Sequence, residues 1–141
     1  MKSTATARWE GAAGKITAGT GLFKDAPYNA KGRFEGGEPY TTPEELIAAA
    51  HAACFSMAFN VGLSRNGINA KSIETKSVVE VLPAAGGGFG ITQSTLTCTV
   101  DAPGADVAKV REIGEGAKNG CPVSKALKNN IEITLDLNVK S

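Results

Sequence analysis

The 141-residue chain carries three cysteines and one histidine, and these four side chains frame the covalent chemistry open to it. Cys98 lies in TLTCTV, where Leu96, Cys98 and Val100 fall on one face of a strand and Thr95, Thr97 and Thr99 on the other. Nothing polar in that stretch shares its face, and cysteine in such a setting packs as a small hydrophobe, so Cys98 reads as structural. Cys121 lies in NGCPVS, at the mouth of a helix, where free N–H groups and the helix dipole stabilise a thiolate. The same position suits a small residue in a helix corner, and the local sequence leaves both readings standing. Cys54, in HAACFSMAF, sits in mid-helix with Ala50, Met57 and Ala58 as near neighbours. Burial there raises a thiol's pKa and makes it inert, so Cys54 taken by itself reads as core. His51, three residues earlier on the same helix face, has the spacing for a Cys–His pair, but the preferred reading is a packed, hydrogen-bonded helix residue. One histidine without a Cys-x-x-Cys motif does not make a zinc site, and no metal or cofactor is expected.

An active Cys54 needs positive charge from outside its own helix. The segment GRFEG offers Arg33, and Glu44 is the natural carboxylate to orient it, because Glu45 is engaged in capping the helix. The plainer readings are a solvated loop cation and an acid favouring the helix dipole. Ten residues separate Glu44 from Cys54, about 15 Å along a straight helix. The two share a site only if the helix breaks near its start or if a partner's helix brings its own Glu44 alongside. The second route favours a dimer with sites at the subunit interface.

The elements that must position these residues are written in the sequence. Residues 4–10 and 15–23 read as strands around a Gly11–Gly14 turn, and a third extended piece near 27–34 runs into the Gly36-Gly37 loop. TTPEELIAAAHAACFSMAFNVGLSRNG then reads as one long helix. Thr42 is its N-cap, Pro43 its first residue, Glu45 the completion of a capping box, and Asn66-Gly67 its stop. Residues 69–83 and 89–101 are strands joined by AAGGG, with Ile73, Val79 and Val81 facing inward along the first. Residues 105–119 form an amphipathic helix with a stripe of Val107, Val110, Ile113 and Ala117, ended by Gly120. Pro122 opens a short third helix, and a last strand alternates Ile131, Ile133, Leu135, Leu137 and Val139 inward. The order βββ-α-ββ-α-α-β, with no internal repeat, predicts a single α+β domain over residues 1–141, with antiparallel strands covering helices.

Composition narrows the function classes. With 42% hydrophobic and 21% charged residues the chain has material for a real core. A net charge of +1, without a basic run, gives no reason to expect nucleic acid or an anionic membrane. The apolar stretch from Leu46 to Val61 contains His51, Ser56 and Asn60 and falls short of a spanning segment, so a buried helix is expected. Its middle is apolar on nearly every face, and a helix apolar all round must be buried all round, which again calls for a partner subunit. The N-terminus lacks an apolar signal region and the cysteine count is odd, so reduced thiols in a cytoplasmic protein are expected.

RFEG, TPEELIAAAHAACFSMAF and GCPVSKALKNNIEITLDL together resemble the OsmC/Ohr family, named for osmotically inducible protein and organic hydroperoxide resistance protein. The resemblance runs essentially the whole length, and His51 and RFEG point to the OsmC branch. It implies an intertwined homodimer whose subunits exchange N-terminal strands, with antiparallel sheets packed around two long central helices. It implies a thiol peroxidase of the oxidative and osmotic stress responses, in which Cys54 is the peroxidatic and Cys121 the resolving cysteine, with Arg33 and Glu44 beside them. Its substrate would be an organic hydroperoxide, favoured by an apolar collar including Phe55, Met57 and Phe59. Its reductant would be a dithiol, of the dihydrolipoyl kind in the Ohr branch. Cys98 and His51 receive no role from it. The competing readings are a non-enzymatic module binding a lipid-like or stress ligand in an interfacial apolar pocket, and a general disulfide oxidoreductase. The missing Cys-x-x-Cys and βαβ order argue against the latter.

Overall fold

The computed structural model of the chain describes residues 1–36 and 39–141, which form two compact units, residues 1–46 and 47–141. The first unit opens with a three-stranded antiparallel sheet in the order β1 (Ala5–Glu10), β2 (Ala13–Ala18), β3 (Ala26–Tyr28). The turn between β1 and β2 is tighter than the sequence suggests. Gly11, at φ 61°, and Ala12 suffice, and Ala13 and Gly14 already pair in the ladder. Gly14 is required by packing: a Cβ there would sit 2.3 Å from the Tyr28 ring, which in turn packs tilted against Trp9 with centroids 5.5 Å apart.

The expected extended piece near 27–34 is corrected by a helix. After β3 the chain enters α1 (Ala30–Glu35), capped by the Asn29 side chain, which accepts from the Gly32 N–H at 2.6 Å. Asparagine at this position satisfies an otherwise orphaned donor, a signal that the glycines around Arg33 obscure. Arg33 therefore stands on a helix turn. Of the Gly36-Gly37 pair, Gly37 lies outside the described residues.

Helix α2 (Pro43–Arg65) has the predicted bounds. Thr42 Oγ1 accepts from the Glu45 N–H at 3.0 Å, the Thr42 half of the capping box. At the far end Gly67, at φ 71°, lets the Ile68 N–H return to the Leu63 carbonyl at 3.0 Å. Within residues 47–141, α2 buries His51, Phe55, Phe59 and Leu63, each four residues apart, and the last three share a core with Leu96, Cys98, Val100, Val110 and Leu137. Its other side is not buried: Ala50, Ala53, Met57, Asn60 and Val61 are exposed, Met57 at 67%. By length and composition alone α2 could also cross a membrane.

The second sheet has the order β4 (Ser72–Pro83), β5 (Phe89–Asp101), β6 (Glu132–Lys140). Strands β4 and β5 pair antiparallel, with Ile73, Thr75, Ser77, Val79 and Val81 half-buried along β4. Strand β6 pairs with β5 parallel, which corrects the all-antiparallel expectation. The reason is the connection: β5 reaches β6 through α3 (Val107–Gly120) and α4 (Pro122–Leu127), and a helical crossover returns the chain in the same direction. Asp106 caps α3 by accepting from the Lys109 N–H at 2.6 Å. Val110, Gly114 and Ala117 are buried, whereas Val107, the first residue of the expected stripe, remains 39% exposed.

Candidate active site

Within residues 47–141 the structure brings Cys54 and Cys121 together. Both are free thiols, Cys121 fully buried and Cys54 partly so, and their sulfurs share a hydrogen bond. The local sequence leads one to expect the mouth of α4 to serve Cys121. Cys121 makes no side-chain capping bond, however, and the Val123 N–H in the first turn of α4 donates to the Cys54 sulfur instead. The backbone donor thus reaches a cysteine that its own helix could not supply. Burial pushes the Cys54 thiol above its ordinary pKa of 9.0, the hydrogen-bonded Cys121 pushes the same way, and only the Val123 N–H opposes them.

Within residues 1–46 the structure brings Arg33 and Glu44 together. The Arg33 Nε lies 3.1 and 3.2 Å from the two Glu44 carboxylate oxygens, and Nη2 lies 2.5 Å from Oε1. This fork recognises both carboxylate oxygens at once. Burial pushes the Glu44 carboxyl up, but the Arg33 hydrogen bond and charge outweigh it, so the group stays below its ordinary value. The same bond holds the Arg33 guanidinium protonated. Trp9, Tyr28, Phe34 and Pro43 line a cavity of about 160 Å³ beside Arg33. A larger concavity of about 420 Å³ in this unit is lined by Thr6, Arg8, Glu10 and Lys15, with no cysteine in its lining.

Cys98 and His51 are placed as packed residues, and the Cys54–His51 pair that helix spacing allows is not formed. His51 does not pair with Cys54: its Nδ1 lies 2.7 Å from Ser94 Oγ and its Nε2 2.8 Å from Ser124 Oγ, all three residues being buried. Desolvation lowers the imidazole pKa and favours the neutral ring. Cys98 is fully buried between Leu96 and Val100, and burial raises its thiol despite a hydrogen bond with Thr75 on β4. Phe55 and Phe59 belong to the core, with ring centroids 5.6 Å apart, and Met57 is exposed. Ser94 and Ser124 were missed altogether. Ser94 falls in phase with Leu96, Cys98 and Val100, and a polar residue in a core phase was the available signal.

The fold and the paired thiols define an α+β protein with a two-cysteine thiol centre, one cysteine on its long helix and the other at the start of α4. The family model described as OsmC-like protein matches residues 35–136, and the chain belongs to that family. It is 45% identical over 139 residues to peroxiredoxin OsmC of Escherichia coli K12, covering 96% of this chain and 94% of that one. It is 33% identical over 129 residues to organic hydroperoxide resistance protein OhrB of Bacillus subtilis, covering 90% of each. The crystal structure of OhrB from Bacillus subtilis superposes with a TM-score of 0.79 at 31% identity, over 98% of both chains.

Proposed function

We propose that this chain is a cysteine-based peroxidase that reduces organic hydroperoxides to alcohols. The observation that carries the reading is the hydrogen-bonded pair of free thiols, Cys54 and Cys121, with the Val123 N–H on the Cys54 sulfur. The relatives named peroxiredoxin and organic hydroperoxide resistance protein supply the substrate class.

In the first step the Cys54 thiolate attacks the terminal peroxide oxygen. The O–O bond breaks, the alkoxide takes a proton and leaves as the alcohol, and Cys54 becomes a sulfenic acid. The Cys121 sulfur then attacks Cys54, an S–S bond replaces the S–O bond, and the hydroxyl leaves as water with the Cys121 proton. A dithiol reductant resets the pair by exchange. The first step needs a thiolate that burial disfavours, and Arg33, held by Glu44, is the cation we assign to it. The exposed apolar stripe Ala50, Ala53, Met57 and Val61 supports an intertwined homodimer with the site at its interface, and the odd number of free thiols supports a cytoplasmic setting.

Cys54→Ser is expected to abolish consumption of cumene hydroperoxide. Cys121→Ser is expected to complete one turnover and leave a sulfenate that dimedone traps. An active Cys54→Ser protein ends the proposal.

A further inference from the structure

His51 is a fully buried polar side chain near the thiols, and the redox steps above do not use it. It lies one helix turn before Cys54 on α2, is wholly inaccessible, and has a hydroxyl on each ring nitrogen. Ser94 on β5 takes one side, and Ser94 Oγ in turn lies 3.3 Å from Ser77 Oγ on β4. Ser124 on α4 takes the other. A neutral imidazole has one donor and one acceptor, and a hydroxyl can complement either, so the chain Ser77–Ser94–His51–Ser124 is fully satisfied. Among the described residues no buried side-chain nitrogen or oxygen is left without a partner.

The anchored end of this chain matters most. Helix α4 has six residues, too few to be stable by itself, and Cys121 gives it no side-chain cap. Ser124 is the third residue of α4. It directly follows Val123, whose N–H reaches the Cys54 sulfur, and stands three positions after Cys121. A side chain fixed at Ser124 therefore fixes the rotation and register of the turn that presents both groups to Cys54. His51 and Cys54 share the face of α2 that α4 meets, so anchor and nucleophile move as one body.

We propose that His51 is a positioning residue for the Cys54–Cys121 couple, acting through Ser124 to hold the first turn of α4 against the Cys54 sulfur. The inference rests on the peroxidase reading for its biological meaning, but its geometry can be tested without peroxide.

The side-chain amide of glutamine reaches about as far as Nε2 and can keep the Ser124 contact. The amide of asparagine reaches only as far as Nδ1 and keeps the Ser94 contact alone. His51→Asn, His51→Gln and Ser124→Ala are compared in the reduced protein by diamide, which takes two hydrogens from the thiols and closes the Cys54–Cys121 disulfide. Closure in His51→Asn is expected to slow by about 10- to 100-fold, the loss that follows from misplacing reacting atoms by about 1 Å. His51→Gln is expected to close close to the unsubstituted rate. The alkylation midpoint of Cys54 is expected to rise in His51→Asn and Ser124→Ala, because the Val123 donor is displaced. A purely structural histidine would move neither the midpoint nor the Asn-to-Gln difference. Unsubstituted closure rates in His51→Asn, or equal slowing in Asn and Gln, overturn the inference. If His51→Asn does not fold, Ser124→Ala decides: slowed closure supports the inference and the unsubstituted rate overturns it. Cumene hydroperoxide consumption, measured on the unsubstituted protein, separately tests the peroxidase reading.

Discussion

Replacing Glu44 by glutamine keeps the shape of the side chain and removes the charge that Arg33 grips. The carboxylate is 7% exposed and receives both Nε and Nη2 of the guanidinium, so the substitution turns an amide donor toward a cation. Hydrogen bonds to charged groups contribute about 1.5–3 kcal/mol in net terms. The Arg33 side chain is 35% exposed, and water there screens part of the interaction. The expected loss at neutral pH is therefore about 1–2 kcal/mol, which for a chain of this length lowers the unfolding midpoint by about 3–8 °C. The sign of the pH dependence follows from the depressed carboxyl. Its stabilisation is fully present above the ordinary value of 4.5 and is lost as pH falls through the lower folded value. Thermal unfolding of the parent and Glu44→Gln proteins should thus show a gap at neutral pH that narrows as pH falls below the ordinary carboxyl value of 4.5. A gap of zero at neutral pH, or one that stays constant into acid, refutes the reasoning.

Cys98→Ala should leave hydroperoxide consumption unchanged while destabilising the chain by about 1–2 kcal/mol, measured by urea unfolding, because the sulfur fills a fully buried site between Leu96 and Val100. Phe59→Ala should cost about 3–5 kcal/mol, since the ring is fully buried against Phe55 and beside Gly114. Met57→Glu puts a charge in the middle of the exposed apolar stripe of α2 and should shift the proposed homodimer to monomers in analytical ultracentrifugation, with loss of peroxidase activity; an unchanged mass removes this stripe from the proposed interface. Arg33→Gln should raise the pH at which Cys54 is alkylated, because burial already pushes that thiol up and the proposed cation is then missing. An unmoved midpoint removes Arg33 from the proposed site.

Helix bounds were legible because their signals are local. Thr42, Pro43, Asn66 and Gly67 act on backbone groups within a turn of themselves, and α2 begins and ends where they place it. The inward phase of β6 was legible for the same reason, since Leu135, Leu137 and Val139 alternate within a few residues. The partner of β6 was not, because parallel pairing depends on where α3 and α4 return the chain. Helix α1 carried its signal in Asn29, but the neighbouring glycines read as loop.

By itself, then, the sequence determined the helices and strands other than α1, that Cys98 is packing, and that Cys54 requires help from outside its helix. These follow from periodicity and from burial of a thiol, both short-range properties. Only the tertiary structure decided where one source of that help is: the Val123 N–H comes to Cys54 rather than to its neighbour Cys121. It also decided that His51 binds two serines, 43 and 73 residues away in sequence, instead of the thiol on its own face. The physical reason is that a buried polar group takes whichever partner the packed chain brings within about 3 Å, and spacing along one helix does not say which that will be.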